Sequence, residues 1–338
     1  MTNAEKQIMT SLAWFRTRYA LFLDLDLNRP ANKENIESFG QAWIGDFKDD
    51  WSGAFESLIE KDILALKEEE YVFTEKGEKL SKEVEAEIPF FRYEYDNFFN
   101  LEQKSEAHKQ FCREVYGMDL AQHGLIDADE LSFLVEKLKT AGPQSILDIG
   151  CGNGKITEHL SSEIEGHFTG MDISNEAIIL ANHRTRNSEK LHFEVGNMNH
   201  LNLPQKYDAI LFLDTLYYAD NMEALLKTCL SALNENGKIY AYFSQWIMDR
   251  EYSEYLAPEN TGLARVLKNL PADYDYVDLT ASGLRHWKRK LEVLEKMKPA
   301  FLEENNEALW QYRYREANRY ANWGDDKYSR YLYEVKNS

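Results

Sequence analysis

The sequence predicts a doubly wound α/β domain behind a helical amino-terminal region. Three observations carry this. A short apolar run enters a glycine turn at Ser145–Lys155 (S-I-L-D-I-G-C-G-N-G-K), further apolar runs follow at regular intervals, and helical patterns separate them. A strand buried on both faces needs a continuous apolar run, and a backbone passing close to a ligand before entering a helix needs residues without Cβ. Gly150, Gly152 and Gly154 are spaced G-x-G-x-G. The dinucleotide fingerprint G-x-G-x-x-G would need glycine where Lys155 stands, so the turn suits a nucleoside without a pyrophosphate.

The later elements read in order. His167–Ile173 is a second strand ending in an acid, Asp172, at the distance from the glycines where such folds place a ribose-binding carboxylate. Leu191–Val195 is a third, closed by Gly196, Asn197 and Met198, which offer an amide and an apolar face to a purine. Tyr207–Leu213 is a fourth, followed by Asp214, and Gly237–Phe243 a fifth. Helical patterns lie at Asp127–Leu138, Glu176–Thr185 and Met222–Leu233. Ligands of such sheets bind beyond the carboxyl ends of the strands.

These residues resemble the class I S-adenosylmethionine-dependent methyltransferases across roughly residues 117–244. L-D-I-G-C-G-N-G is similar to that family's first motif, G-M-D-I-S to its ribose segment, G-N-M to its adenine segment, and Y-D-A-I-L-F-L-D to its fourth strand. The resemblance implies a seven-stranded Rossmann-like sheet whose last strand, here Tyr328–Val335, is antiparallel, with Tyr274–Leu279 as the sixth. It implies S-adenosylmethionine as cofactor. Asp148, Gly150, Cys151, Gly152 and Gly154 would surround the methionine end, Asp172 the ribose, Ile173 and Met198 the adenine faces and Asn197 its edge, with Leu213 and Asp214 at the end of the fourth strand. Many relatives have Asp at the position of Asn197. Cys151 is read as a small filler, no partner His being identifiable for a nucleophile.

Composition bounds the function. The 338 residues carry 39 Lys and Arg against 58 Asp and Glu, a formal net charge of −19. That field repels phosphate backbones and anionic membranes, so nucleic acid is excluded as a substrate class. Three scattered cysteines without C-x-x-C indicate a reducing compartment and no structural zinc. The longest apolar stretch, Y-A-L-F-L-D-L-D-L, is interrupted by Asp24 and Asp26, so a soluble, cytoplasmic protein is expected.

Residues 1–88 are expected to form a separate helical domain, with helices at Ala4–Leu23, Lys33–Phe47 and Trp51–Ile59. Ile63–Leu80 reads as strand, acidic turn, strand and helix entry, similar to a winged-helix wing. The resemblance to small-molecule O-methyltransferases implies a dimerising or pocket-closing role, and the acidic residues there argue against DNA reading. Residues 89–125 form an aromatic linker and cofactor-covering segment. Within it Phe111–Leu125 supplies the candidate pocket residues Tyr116, His123 and Gly124. Residues 126–338 form the methyltransferase domain, with a helical lid at 280–324 carrying His286, Trp310 and Tyr314. Trp246 leaves the fifth strand beside the expected methyl position.

The expected function is transfer of a methyl group to a small organic molecule, at O, N or C. Tyr217, Tyr218 and His286 are the candidate bases or orienting groups. The segment D-T-L-Y-Y stands where DNA and protein amide methyltransferases carry N-P-P-Y. An amine N-methyltransferase of the phosphoethanolamine or glycine type is the alternative, with Arg285, Arg313 and Arg315 available for a phosphate. A non-catalytic S-adenosylmethionine-binding regulator is the alternative from another class.

Overall fold

A computed structural model describes residues 1–17, 30–248 and 250–338. The chain divides into two compact units, Met1–Leu101 and Glu102–Ser338.

The first unit contains α1 (Asn3–Thr17), α2 (Lys33–Ile44), α3 (Ala54–Glu60), the hairpin β1 (Leu64–Lys67) and β2 (Glu70–Phe73), α4 (Glu75–Glu87) and most of α5 (Phe90–Glu102). The part of the expected first helix beyond Thr17, and the apolar run at 19–27, lie outside the described residues. Gly40 sits inside α2 because a Cβ there would stand 2.3 Å from the buried Trp51 ring, whose indole donates to Gln7 Oε1 at 3.0 Å. The hairpin pairs Leu64 with Phe73 and Lys67 with Glu70. Glu68 and Glu69 both adopt positive φ, 50° and 70°, as a two-residue turn of this hand requires. Thr74 caps α4 by accepting from Gly77 N. The strand, acidic turn, strand and helix entry read from Ile63–Leu80 are thus present.

The second unit is built on a seven-stranded sheet in the order β5-β4-β3-β6-β7-β9-β8. Its strands are β3 (Ser145–Ile149), β4 (His167–Asp172), β5 (Leu191–Val195), β6 (Tyr207–Leu213), β7 (Leu233–Trp246), β8 (Ala272–Asp278) and β9 (Tyr328–Asn337). β9 is antiparallel to both β7 and β8, whereas β3 to β7 pair in parallel. This is the expected architecture, including the antiparallel last strand. The strand order reverses at β3, since β4 and β6 flank it, and that creates the crevice where ligands bind in such sheets.

Period-two alternation explains the layering. Leu147, Ile149, Ile210, Phe212, Ile239, Ala241 and Phe243 face α10 (Met222–Ser231) and α11 (Gly262–Leu267). Their neighbours Ile146, Ala209, Leu211, Leu213, Tyr240 and Tyr242 pack against Leu131, Leu134 and Leu138 of α7 (Ala128–Ala141) and Leu160 of α8 (Lys155–Glu163). Asp127 caps α7 and Ser174 caps α9 (Asn175–Thr185), each accepting a backbone N–H. Three more helices complete the unit: α6 (Glu106–Tyr116), α12 (Thr280–Glu303) and α13 (Glu307–Tyr320). The last two occupy the region read as a helical lid. No helix among the described residues is long and apolar enough to cross a membrane.

Candidate active site

The site forms along the carboxyl ends of β3, β4, β5 and β6. β3 ends at Ile149, and the next turn needs backbone that side chains disfavour. Gly150 has φ +83°, and a Cβ on it would lie 2.5 Å from the Thr215 side chain. The turn is anchored to the neighbouring strand by Gly150 N and Cys151 N, which donate to Met171 O at 2.7 and 3.1 Å. Gly152 N donates to Asp172 Oδ2 and Ser174 N to Asp172 Oδ1, both at 2.8 Å. The ribose-position carboxylate is therefore tied to the glycine turn.

Asp148 is buried beneath that turn. Its Oδ2 accepts from the Thr157 hydroxyl at 2.7 Å, and its Oδ1 is buried without a hydrogen-bond partner among the described residues. Burial pushes its carboxyl from the usual 3.8 up to about 7; Thr157 opposes this and Asp172 adds to it. An orphaned carboxylate oxygen under three glycines fits a ligand that brings a cationic N–H donor. Burial holds the Cys151 thiol well above its ordinary range, so it is an inert thiol, in keeping with a filler role.

The remaining nucleoside-site candidates stand in sequence along the edge. Ile173 follows β4, and Asn197 caps the short turn Met198–His200 by accepting from Asn199 N at 2.9 Å. Met198 packs on the sheet core. Leu213 closes β6. Asp214 turns out of it at φ +62°, and its carboxylate takes Leu125 N at 2.8 Å. Gly124 approaches so closely that a Cβ there would stand 2.9 Å from Asp214 Oδ2. Residues 117–127 therefore lie against the carboxyl end of β6. They also reach the start of α8, where Lys155 Nζ is 3.6 Å from Asp119.

The pocket candidates fall into groups. Tyr217 accepts from Ser244 N at 2.5 Å and stacks toward Trp246 at 5.3 Å; burial and Asp214 hold its phenol well above the usual range. Tyr218 belongs to the same short turn, and its carbonyl takes Asn199 Nδ2 at 3.1 Å. Tyr116 lies 4.8 Å from the His286 ring, and its hydroxyl donates to Gly124 O at 3.0 Å. His123 pairs with the Tyr312 hydroxyl at 2.8 Å. Burial, then Lys290, Arg330 and Arg313, hold the His286 imidazole well below its ordinary value and hence neutral. Trp310 and Tyr314 stack at 4.6 Å, and the Trp310 indole donates to Leu294 O at 2.8 Å. Trp310 thus packs α13 against α12, and Tyr314 stacks on it along α13.

Several buried polar groups were not singled out from sequence. Arg330, the third residue of β9, is fully buried and bridges Glu130 of α7 (Nη2 to Oε2, 2.8 Å) to Asp214 (Nη2 to Oδ2, 3.0 Å). Its signal was a charge set among the aromatic and apolar residues Tyr328, Tyr331, Leu332 and Tyr333. Glu102 accepts from Asn153 of the glycine turn at 2.8 Å; burial raises its carboxyl to about 7. Lys290 is fully buried on α12 among the positions that periodicity assigns to its apolar face.

A family described as Methyltransferase domain matches residues 143–297. Phosphoethanolamine N-methyltransferase 1 of Arabidopsis thaliana is 26% identical over 218 residues, covering 60% of this chain and 43% of that protein. The malonyl-[acyl-carrier protein] O-methyltransferase of Bacillus cereus is 30% identical over 108 residues, covering 32% of this chain and 40% of that protein. The chain thus spans less than half the length of these two relatives. In fold the chain is similar to phosphoethanolamine N-methyltransferase 2 of Haemonchus contortus in complex with phosphomonomethylethanolamine and S-adenosylhomocysteine. That match has a TM-score of 0.57 and 17% identity, over 72% of this chain and 60% of that one. It is also similar to coclaurine N-methyltransferase bound to N-methylheliamine and S-adenosylhomocysteine, with a TM-score of 0.52 and 16% identity over 89% of this chain and 99% of that one.

Proposed function

Residues 143–297 match a family described as Methyltransferase domain, and from that premise we propose that the chain is a class I S-adenosylmethionine-dependent methyltransferase acting on a small organic molecule. The observation that carries this is the buried, orphaned Asp148 Oδ1 beneath a glycine turn that is itself tied to Asp172. In this reading Asp148 and the turn Gly150–Gly154, with Cys151 as filler, hold the methionine end. Asp172 takes the ribose, Ile173 and Met198 enclose the adenine, Asn197 meets its edge, and Leu213 and Asp214 close the floor.

When bound, S-adenosylmethionine supplies a methyl group activated by its sulfonium. The protein's own residues then position the acceptor and exclude water. Residues 117–127 cover the carboxyl edge of the sheet. Trp246 and Tyr217 flank the end of β7, and Tyr217 keeps its proton, so it orients and does not act as a base. His286 is held neutral by burial and neighbouring cations, so it orients a bound group and is not assigned as a base. Net charge −19 favours a small substrate over nucleic acid, and a cytoplasmic setting fits three reduced, buried cysteines. Residues 1–88, winged-helix-like in order of elements, are assigned a role in homodimerisation.

The test is a calorimetric titration with S-adenosylmethionine and S-adenosylhomocysteine, followed by a methyl-transfer screen over phenols, carboxylic acids and amines. Saturable binding and turnover on one class are expected, and Asp172→Ala should weaken binding about tenfold or more. Absence of binding overturns the reading. Binding without turnover on any acceptor, together with specific DNA binding, points to the regulator instead.

A further inference from the structure

The second unit carries a group of buried polar atoms that the cofactor assignment does not use. His286 and Trp287 on α12 are 5% and 6% exposed, and His286 Nε2 and Trp287 Nε1 have no hydrogen-bond partner among the described residues. A buried donor left without a partner is destabilising, so each calls for an explanation. Lys290 follows one turn later, at i+4 from His286 and i+3 from Trp287, so all three share a face of the helix.

Lys290 is fully buried. Its ammonium lies 4.4 Å over the Trp287 ring and 5.9 Å over Tyr116. Among the described residues its one hydrogen-bond acceptor is Glu316 Oε2 at 3.2 Å, on a side chain that is 34% exposed. An ammonium has three N–H donors, so two remain to be satisfied. The electrostatics agree. Burial and neighbouring cations depress the buried imidazoles of both His286 and His123: Lys290, Arg330 and Arg313 at His286, and Arg313 and Lys290 at His123. Arg330 is balanced by Glu130 and Asp214, which leaves Lys290 and Arg313 as the cations next to these imidazoles, with Glu316 beside Lys290.

The face is also connected to the place where methyl transfer is proposed. Trp287 stacks toward Tyr320 at 4.8 Å, Tyr320 toward Trp246 at 5.9 Å, and Trp246 toward Tyr217 at 5.3 Å, just past the carboxyl end of β6. A continuous aromatic wall therefore runs from the strand ends to the orphaned donors.

We propose that the α12 face formed by His286, Trp287 and Lys290 binds an oxyanion, a carboxylate or phosphate, carried by the methyl-accepting substrate. The proposal rests on the methyltransferase reading above. Trp287 Nε1–H, His286 in its Nε2–H tautomer and the two spare N–H groups of Lys290 are all donors, which suits an acceptor-only group and disfavours an ammonium. The oxyanion end anchors the substrate while the aromatic wall guides its other end to the methyl group.

The experiment is calorimetry on the full chain at constant ionic strength, titrating inorganic phosphate and, separately, acetate, with and without S-adenosylhomocysteine. Saturable binding of at least one anion is expected, and the one that binds names the group. Lys290→Met and Trp287→Phe should each weaken it about tenfold or more. The charged and titratable groups around Lys290 are Glu316 and Arg313 of α13, Tyr116 and His108 of α6, His123 between α6 and α7, His286 of α12, and Asp214 at the end of β6. Burial brings Lys290 down to about 8, so anion affinity should decline as pH rises past that value. Failure of both anions to saturate, or unchanged affinity in both variants, overturns the proposal. If Lys290→Met does not fold, by circular dichroism, Trp287→Phe and the wild-type titration still decide. Cofactor-product binding without anion binding sinks the oxyanion site alone, whereas anion binding without it sinks the cofactor assignment alone.

Discussion

Asp148 shows how one buried carboxyl ties the site to pH. Its folded value, about 7, lies above the ordinary 3.8, chiefly through burial. The native state therefore holds a proton that the unfolded chain releases. This contribution to stability is full below about 4 and is lost as pH rises toward 7. A cationic ligand reverses the preference by favouring the carboxylate. Binding of S-adenosylhomocysteine near pH 6.5 should thus release a fraction of a proton, approaching one as pH falls further below 7. Calorimetry in buffers of different ionisation enthalpy measures that number. Asp148→Asn should abolish its share, and what remains is assigned to Glu102, which is also near 7. Asp148, Asp172 and the glycines were legible in the sequence because a turn this tight at a strand end leaves few residue types able to occupy it. Lys290 and Glu102 were not. Nothing in a helical pattern shows that a particular Lys or Glu will be buried, since that depends on what packs over it.

At the scale of elements, two features carry energetic consequences. β9 is held to α7 and to the end of β6 by Arg330, which sits between two carboxylates, Glu130 and Asp214. Removing the guanidinium leaves both buried without their cation. Arg330→Met should therefore cost about 3–5 kcal/mol, read by chemical denaturation, and adding Glu130→Gln should recover part of it. The β1–β2 hairpin presents the opposite case. Its two-residue turn places Glu68 and Glu69 at positive φ, which side chains disfavour and Asn-Gly accommodates. The double change Glu68→Asn and Glu69→Gly should stabilise the first unit by about 1 kcal/mol, seen as a higher denaturant midpoint. The hairpin was visible as strand, acidic turn and strand. The backbone hand of its turn was not, because Glu-Glu carries no turn preference of its own. β7 likewise begins four residues earlier and ends three later than its apolar run suggests, since pairing with β6 and β9 extends it over polar residues.

For the molecule as a whole, ligand binding should read out as stability. At a concentration about one hundredfold above its dissociation constant, S-adenosylhomocysteine adds about 2.7 kcal/mol to the folded state. That corresponds to a rise of about 5–10 °C in the melting temperature of a unit of this size, measured by scanning calorimetry. An unchanged melting temperature at saturation would contradict a site formed by the folded sheet. The alternation of strand and helix, the parallel core and the ligand edge were legible in local patterns, whereas the antiparallel final strand was implied by the resemblance to a known family. Period-two apolar runs, capped helices and a glycine turn are local signals that specify one fold class. What only the tertiary structure decided is which polar groups lie together: Arg330 with Glu130 and Asp214, Gly124 against Asp214, and Lys290 beside His286 and Trp287. Most of these contacts join residues far apart in the chain, and the burial that gives each its meaning is created by packing, which no local pattern encodes.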